Sequence, residues 1–147
     1  MKPTTLIRSL LAKSFITSYL NTHYQVGTGP DAIVLRIGQH SKPLTKLLET
    51  LKQSFAAIIS AYNPCSRLVS NEMNLIAHEL LRNYLNHHAY AMIESLNVDP
   101  SGKWPSEKSF FVPGLDLNTA RSIGQKFNQN AIVWIDSEAI SRLILLR

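Results

Sequence analysis

The sequence is short of the residues that most often announce a chemistry. Its one cysteine, Cys65, permits no internal disulfide and no cysteine-based zinc site, so a reducing compartment suits it. Its 6 glycines form neither a G-x-G-x-x-G turn nor a Walker loop, which removes those two phosphate-cradling devices. No span of about 20 apolar residues exists, so no membrane-crossing segment is expected. His78-Glu79-Leu80-Leu81-Arg82 begins like the zinc-binding HExxH helix, but a cation stands where the second ligand belongs. The other histidines, His23, His40, His87 and His88, show no ligand spacing, so no metal and no cofactor is expected. Cys65 has only Arg67 as a basic neighbour in sequence and reads as a bystander thiol.

What is there suits one globular domain. The chain has 147 residues, 45% of them hydrophobic, enough to bury a core without staples. The net charge is +5, and all of the excess is N-terminal: residues 1–52 hold seven basic side chains against two acidic ones, and residues 53–147 hold eight of each. An anionic partner or a solvated basic face accounts for such asymmetry, and the absence of adjacent Lys or Arg runs favours the solvated face. The opening MKPTTLIRSLLAKSFITSYL is basic, Ser-rich and free of acid, like a transit peptide. Arg8 and Lys13 interrupt its apolar runs, however, and Leu6, Leu10, Leu11, Phe15, Tyr19 and Leu20 recur at helical spacing. A docking first helix in a cytoplasmic protein is the favoured reading.

Helical and extended patterns then alternate without repeats. Gly27 and Gly29-Pro30 mark a turn, and Ala32–Ile37 reads as a strand covered on both faces. Ser41 caps a helix over about 42–53, and Phe55–Tyr62 reads as a second buried strand stopped by Asn63-Pro64. Ser70 opens the most periodic helix, in which Met73, Ile76, Ala77, Leu80, Leu81, Tyr84 and Leu85 are expected to form one inward stripe ending at His87-His88. Strands over Ala89–Leu96 and Lys108–Pro113 flank a polar loop. Asp116 caps a helix carrying Leu117, Ala120, Ile123 and Phe127 inward, and strands at Ala131–Ile135 and Ile140–Leu146 close the chain. The expected fold is α/β (or α+β): a single-domain layered sandwich with a mixed sheet of about five or six strands, in the order α-β-α-β-α-β-β-α-β-β. Residues 1–26 would be an N-terminal helix and connector, and 31–147 the α/β body.

The candidate site lies where open sheets bind ligands, beyond the carboxyl end of a buried strand. Asn63 and Ser66 sit there, and Asn74 opens the next helix, either as a ligand contact or as a local hydrogen bond holding the turn. Trp104 and Glu107 stand in a loop long enough to suggest function; otherwise Trp104 plugs the sheet edge and Glu107 pairs with a Lys. Gln129 and Asn130 precede the Ala131 strand and can simply cap the preceding helix. Asn63, Ser66 and Asn74 are expected to form one hydrogen-bonded corner with Trp104 and Glu107 folded over it. Gln129 would join only if its strand runs antiparallel to the Asn63 strand. The same group, fully satisfied and without a cavity, would be a structural clasp.

Three ordered stretches carry a family resemblance: Ile58–Asn74 (IISAYNPCSRLVSNEMN), Trp104–Phe110 (WPSEKSF) and Phe127–Trp134 (FNQNAIVW). Together they resemble the bacterial domain-of-unknown-function family DUF 3293, over roughly residues 15–146. The sequence departs from that pattern at Ser60, where the family has Thr, and at Ser106, which separates Pro105 from Glu107. The resemblance implies a bacterial cytoplasmic domain and assigns no reaction.

Three functional readings follow from the residues. The inventory is rich in amides and hydroxyls and poor in nucleophile–base pairs, which favours a binding or accessory module for a small polar ligand or a protein partner. An enzyme would use Glu107 as acid or base, with the amides positioning substrate or stabilising an oxyanion. A nucleic-acid binder would use the basic N-terminal third, with Lys42, Lys46, Tyr19, His23 and Tyr24.

Overall fold

The computed structural model describes residues 13–147. The start of the expected first helix, with Leu6, Arg8, Leu10 and Leu11, and the targeting segment weighed against it begin outside those residues. Within them the elements run α1 (Lys13–Asn21), β1 (His23–Val26), β2 (Ile33–Leu35), α2 (Lys42–Leu51), β3 (Ala56–Ile59), a short 3-10 turn (Pro64–Ser66), α3 (Asn71–His87), β4 (Ile93–Val98), β5 (Glu107–Pro113), α4 (Leu117–Lys126), β6 (Ala131–Ile135) and β7 (Ser141–Leu145). The three expected caps are in place. Ser41, Ser70 and Asp116 accept hydrogen bonds from the backbone amides of Leu44, Met73 and Thr119 respectively, satisfying donors that a helix start leaves free.

The fold is α+β, and its sheet differs from the expected one in count and direction. Seven strands pair in the order β2-β1-β4-β5-β3-β6-β7, and every ladder between them is antiparallel rather than mixed. The extra strand is β1, inside the stretch expected to be a connector. Its four residues alternate half-buried and buried, with Tyr24 and Val26 inward. Four residues carry too short a period-two signal to stand out beside a helix.

The direction error has a topological cause. Helix α3 leads from β3 to β4 and α4 leads from β5 to β6, but each crossover skips one position, and an antiparallel strand fills the gap. The unit β3-α3-β4-β5-α4-β6, with strand order β4-β5-β3-β6, is therefore the split βαβ arrangement of ferredoxin-like folds. The β1–β2 hairpin extends one edge of this unit and β7 extends the other. Isolated bridges from Ile37 to Ser141 and from His40 to Ile140 tie those two edges together, so the sheet curls.

Two cores lie on opposite faces of the curl. On one, Leu44 and Leu48 of α2 pack with Tyr24, Ile58, Phe111 and Val133; on the other, Leu81, Leu85, Ala120 and Ile123 of α3 and α4 pack on Ile59, Phe110 and Ile132. Strand β3 is buried at all four positions, as its unbroken apolar run requires. Strand β2 is not, because Val34 is exposed. Gly124 sits where α4 crosses β6 closely; a Cβ there would stand 2.6 Å from Leu146 Cδ1 and 2.8 Å from Ile132 Cγ2.

The inward face of α3 is a correction. Met73, Ile76 and Leu80, expected against the sheet, are 59%, 63% and 57% exposed, whereas Asn74, His78, Leu81 and Leu85 are buried. Those four stand at i, i+4, i+7 and i+11, one row of the helix. Two of them are polar, and an apolar-only count turns the helix away from its true seam. Partners offset the burial of these polar side chains: Asn74 bonds Asn63, and His78 Nε2 lies 3.2 Å from Glu94 Oε1, while His78 Nδ1 has no partner among the described residues. The His78 ring also stacks on Phe110 with centroids 4.2 Å apart, and burial holds it below the ordinary histidine range, favouring the neutral form.

Candidate functional site

Strand β3 delivers the chain to Asn63, where the backbone turns over with three non-glycine residues in the left-handed region: Asn63 (φ 45), Cys65 (φ 57) and Ser66 (φ 58). Such conformations are costly unless the surroundings fix them. Here they are fixed from several sides. Asn63 N–H donates to Asn74 Oδ1 at 2.8 Å, Asn74 Nδ2 donates to Asn63 Oδ1 at 3.0 Å, and Val69 N–H donates to the same Oδ1 at 3.1 Å. Cys65 N–H donates to the Asn128 carbonyl at 2.7 Å. Ser66 Oγ accepts from Asn130 Nδ2 at 2.7 Å and shares a 2.8 Å hydrogen bond with the Tyr19 hydroxyl. Cys65 is thus held through its backbone, and its thiol is a bystander to these contacts.

The remaining donor of the corner points at the acid. Asn63 Nδ2 donates to Glu107 Oε2 at 2.6 Å; among the described residues Glu107 Oε1 accepts from no group. Glu107 is the first residue of β5, not a loop residue, and shares the β5 face of Ser109 and Phe111. Burial pushes its carboxyl above the ordinary glutamate range, and the hydrogen bond from Asn63 only partly offsets that. Burial, with a smaller contribution from the same carboxylate, holds the phenols of Tyr19, Tyr24 and Tyr62 above their ordinary value. Glu107 forms no ion pair with a lysine among the described residues.

Because β3 and β6 pair antiparallel, the end of one meets the start of the other. Gln129 therefore joins the corner, its Nε2 donating to the carbonyls of Tyr62 and Phe127 at 3.2 Å each. Trp104 is brought over by the β4–β5 loop, which folds around one carboxylate. Asp99 accepts from the backbone amides of Ser101, Lys103 and Trp104 and from the Ser101 hydroxyl, and these hydrogen bonds, led by the Ser101 hydroxyl, hold it below the usual carboxylate range.

These elements enclose a cavity of about 210 Å³ between α1, the corner and Trp104. Glu107, Asn63, Ser66, Gln129 and Trp104 line it, while Asn74 stands behind Asn63 as its support. Phe15, Tyr19, Tyr62 and Leu68 supply the apolar part of the wall. The sequence points to none of these four as cavity residues; it offers Tyr19 as a nucleic-acid contact, and Phe15 and Tyr19 as part of a docking helix. Their one available signal was that Phe15 and Tyr19 lie four apart on a helix beginning just before them, and so share a face. Asn63 and Asn74 bond each other, whereas Ser66, expected to join them, bonds Asn130 and Tyr19 instead, and a cavity lies beside the corner.

The basic candidates lie elsewhere. Lys42 and Lys46 are exposed on α2 and do not line the cavity. Tyr24, offered for nucleic-acid contact, is 4% exposed, and its hydroxyl donates to the Tyr19 carbonyl, so it belongs to the core. The HExxH-like segment splits between two environments: His78 faces inward, and Glu79 is exposed and paired with Arg82 at 3.0 Å. Among the described residues no three His, Cys, Asp or Glu side chains group as metal ligands, and no helix is long and apolar enough to cross a membrane.

No curated protein and no solved structure matches the chain. A family model, DUF3293, described as a protein of unknown function, matches residues 59–132. That span runs from the last residue of β3 to the second of β6 and contains Asn63, Ser66, Asn74, Trp104, Glu107 and Gln129. The resemblance carried by the NP corner, the WPSEKSF segment and the FNQNAIVW strand is thereby confirmed, and the chain belongs to the DUF3293 family.

Proposed function

We propose that the chain is a small binding or accessory module whose ligand enters the cavity over Asn63, Asn74 and Glu107. The observation that carries this reading is Glu107 on the wall of an aromatic-lined cavity, its Oε1 accepting from no group among the described residues. A structural clasp would engage both carboxylate oxygens; here Asn63 engages one, and among the described residues nothing engages the other. Concave sites that combine apolar walls with a few convergent polar groups are where small molecules bind. The reading includes a bacterial, cytoplasmic setting; the single unpaired cysteine suits a reducing compartment.

Amide-resolved NMR with a library of small fragments tests it. The expected result is a set of shifts confined to the Trp104 indole, the Asn63 and Gln129 side-chain amides and the Tyr19 segment. A library that leaves all of these unmoved overturns the reading.

One observation favours an enzyme as the second reading: burial raises the Glu107 carboxyl toward the range in which an acid or base works near neutral pH. Glu107 would then move a proton to or from a bound substrate while Asn63 and Gln129 position it. Chemical conversion of a cavity-bound molecule, lost in Glu107→Gln, would select this reading over simple binding.

A further inference from the structure

We infer that the cavity takes a small organic cation of the amine or amidine class, its charged end against Glu107 and its body against Trp104 and Leu68. The inference rests on the binding reading above and names the chemistry that binding would recognise. Glu107 is the one charged side chain among the described residues of the cavity wall; no lysine, arginine or histidine stands with it. Asn63 Nδ2 donates to its Oε2 at 2.6 Å, and among the described residues no group donates to Oε1, which leaves that oxygen for a donor on the ligand.

The surrounding wall fits the same class. Phe15, Tyr19, Tyr62 and Trp104 present aromatic groups, and cations are attracted to aromatic faces most strongly where water is thin. A neutral ligand would leave the Glu107 carboxylate desolvated and unmatched. An anion would meet it with like charge. A cation supplies the counter-charge that the described wall lacks, and its N–H groups supply the donor for Oε1. The protein's overall +5 charge weakens long-range attraction for such a ligand, but that field is screened over about 8 Å at physiological salt.

Binding must then depend on pH in a defined direction. The carboxyl has to be ionised to pair, and burial raises it, so cation affinity rises with pH as Glu107 loses its proton. Among the described residues the titratable groups facing it are the phenols Tyr19 of α1, Tyr24 of β1 and Tyr62 beyond β3, all raised and so neutral below their ordinary value. Neighbouring β4 contributes Asn97 and the turn before β6 contributes Gln129, neither of which titrates.

Calorimetric titration of the full chain with benzamidine and with benzamide, its neutral isostere, separates the cases. At pH 8 and 0.15 M salt benzamidine is expected to bind at least tenfold more tightly than benzamide. The preference should shrink as pH falls to 5 and vanish in Glu107→Gln, with folding of the variant verified by its thermal transition. Equal affinities, or tighter benzamide, overturn the cation inference while binding itself stands. Neither probe binding, when other fragments shift Trp104, also overturns it. Failure of every fragment removes the binding reading as well.

Discussion

Leu81→Ala should lower the unfolding free energy by about 2–5 kcal/mol, the range for emptying a fully buried leucine position, while Leu80→Ala should change it by less than about 0.5 kcal/mol. The two residues are adjacent on α3 and chemically identical, so helix propensity and composition cancel in the comparison. What differs is direction. Leu81 is 0% exposed and packs in the core shared by α3, α4, Ile59 and Phe110; Leu80 is 57% exposed. Urea unfolding midpoints of the two variants check this, and equal losses would mean that α3 is rotated from the orientation described.

Asn63→Ala should cost at least about 3 kcal/mol. It strands the Asn74 amide and the Val69 N–H, each about 1–3 kcal/mol when left buried without a partner, and deprives Glu107 of its one donor among the described residues. It also places a Cβ-bearing residue without a local hydrogen bond at φ 45. Asn63→Gly loses the same hydrogen bonds but not the backbone fit, so it should be less damaging than Asn63→Ala by about 1 kcal/mol. Thermal unfolding of the pair separates the network from the strain. If both variants stay within about 0.5 kcal/mol of the native chain, the corner is not the hinge of this structure.

The legible parts of the fold were those with a strong local cause. Ser41, Ser70 and Asp116 announce helix starts because capping is a contact within one turn. The β3 run is apolar at every position because both its faces are covered. Strand direction was not legible, since it depends on which strand fills the gap that each helix crossover leaves. The α3 seam was not legible either: Asn74 and His78 look like surface residues until Asn63 and Glu94 stand opposite them.

The candidate site divides in the same way. Asn63, Asn74 and Glu107 could be proposed together because a strand end, a helix start and the polar segment leading into β5 are read one at a time. Tyr19, Phe15 and Tyr62 could not, because the packing of α1 across the mouth of the sheet is a long-range event. Tyr24, read as surface, became core once its strand was recognised.

If Glu107 is a desolvated carboxyl on the cavity wall, as the binding reading requires, its protonation must couple to folding. A carboxyl raised in the folded state holds its proton more tightly there than in the unfolded chain. Its favourable contribution is therefore complete below the unfolded value, near 4.3, is lost as pH rises toward the folded value, and stays lost above it. Gln at position 107 can still accept from Asn63 and does not titrate. The most direct measurement is urea unfolding of the native chain and Glu107→Gln at steps from pH 4 to pH 8. The expected result is a stability difference that moves in favour of the Gln variant as pH rises, levelling above the Glu107 titration. A variant that instead loses ground to the native chain over that range would show an ionised Glu107 that stabilises the fold, and would contradict it.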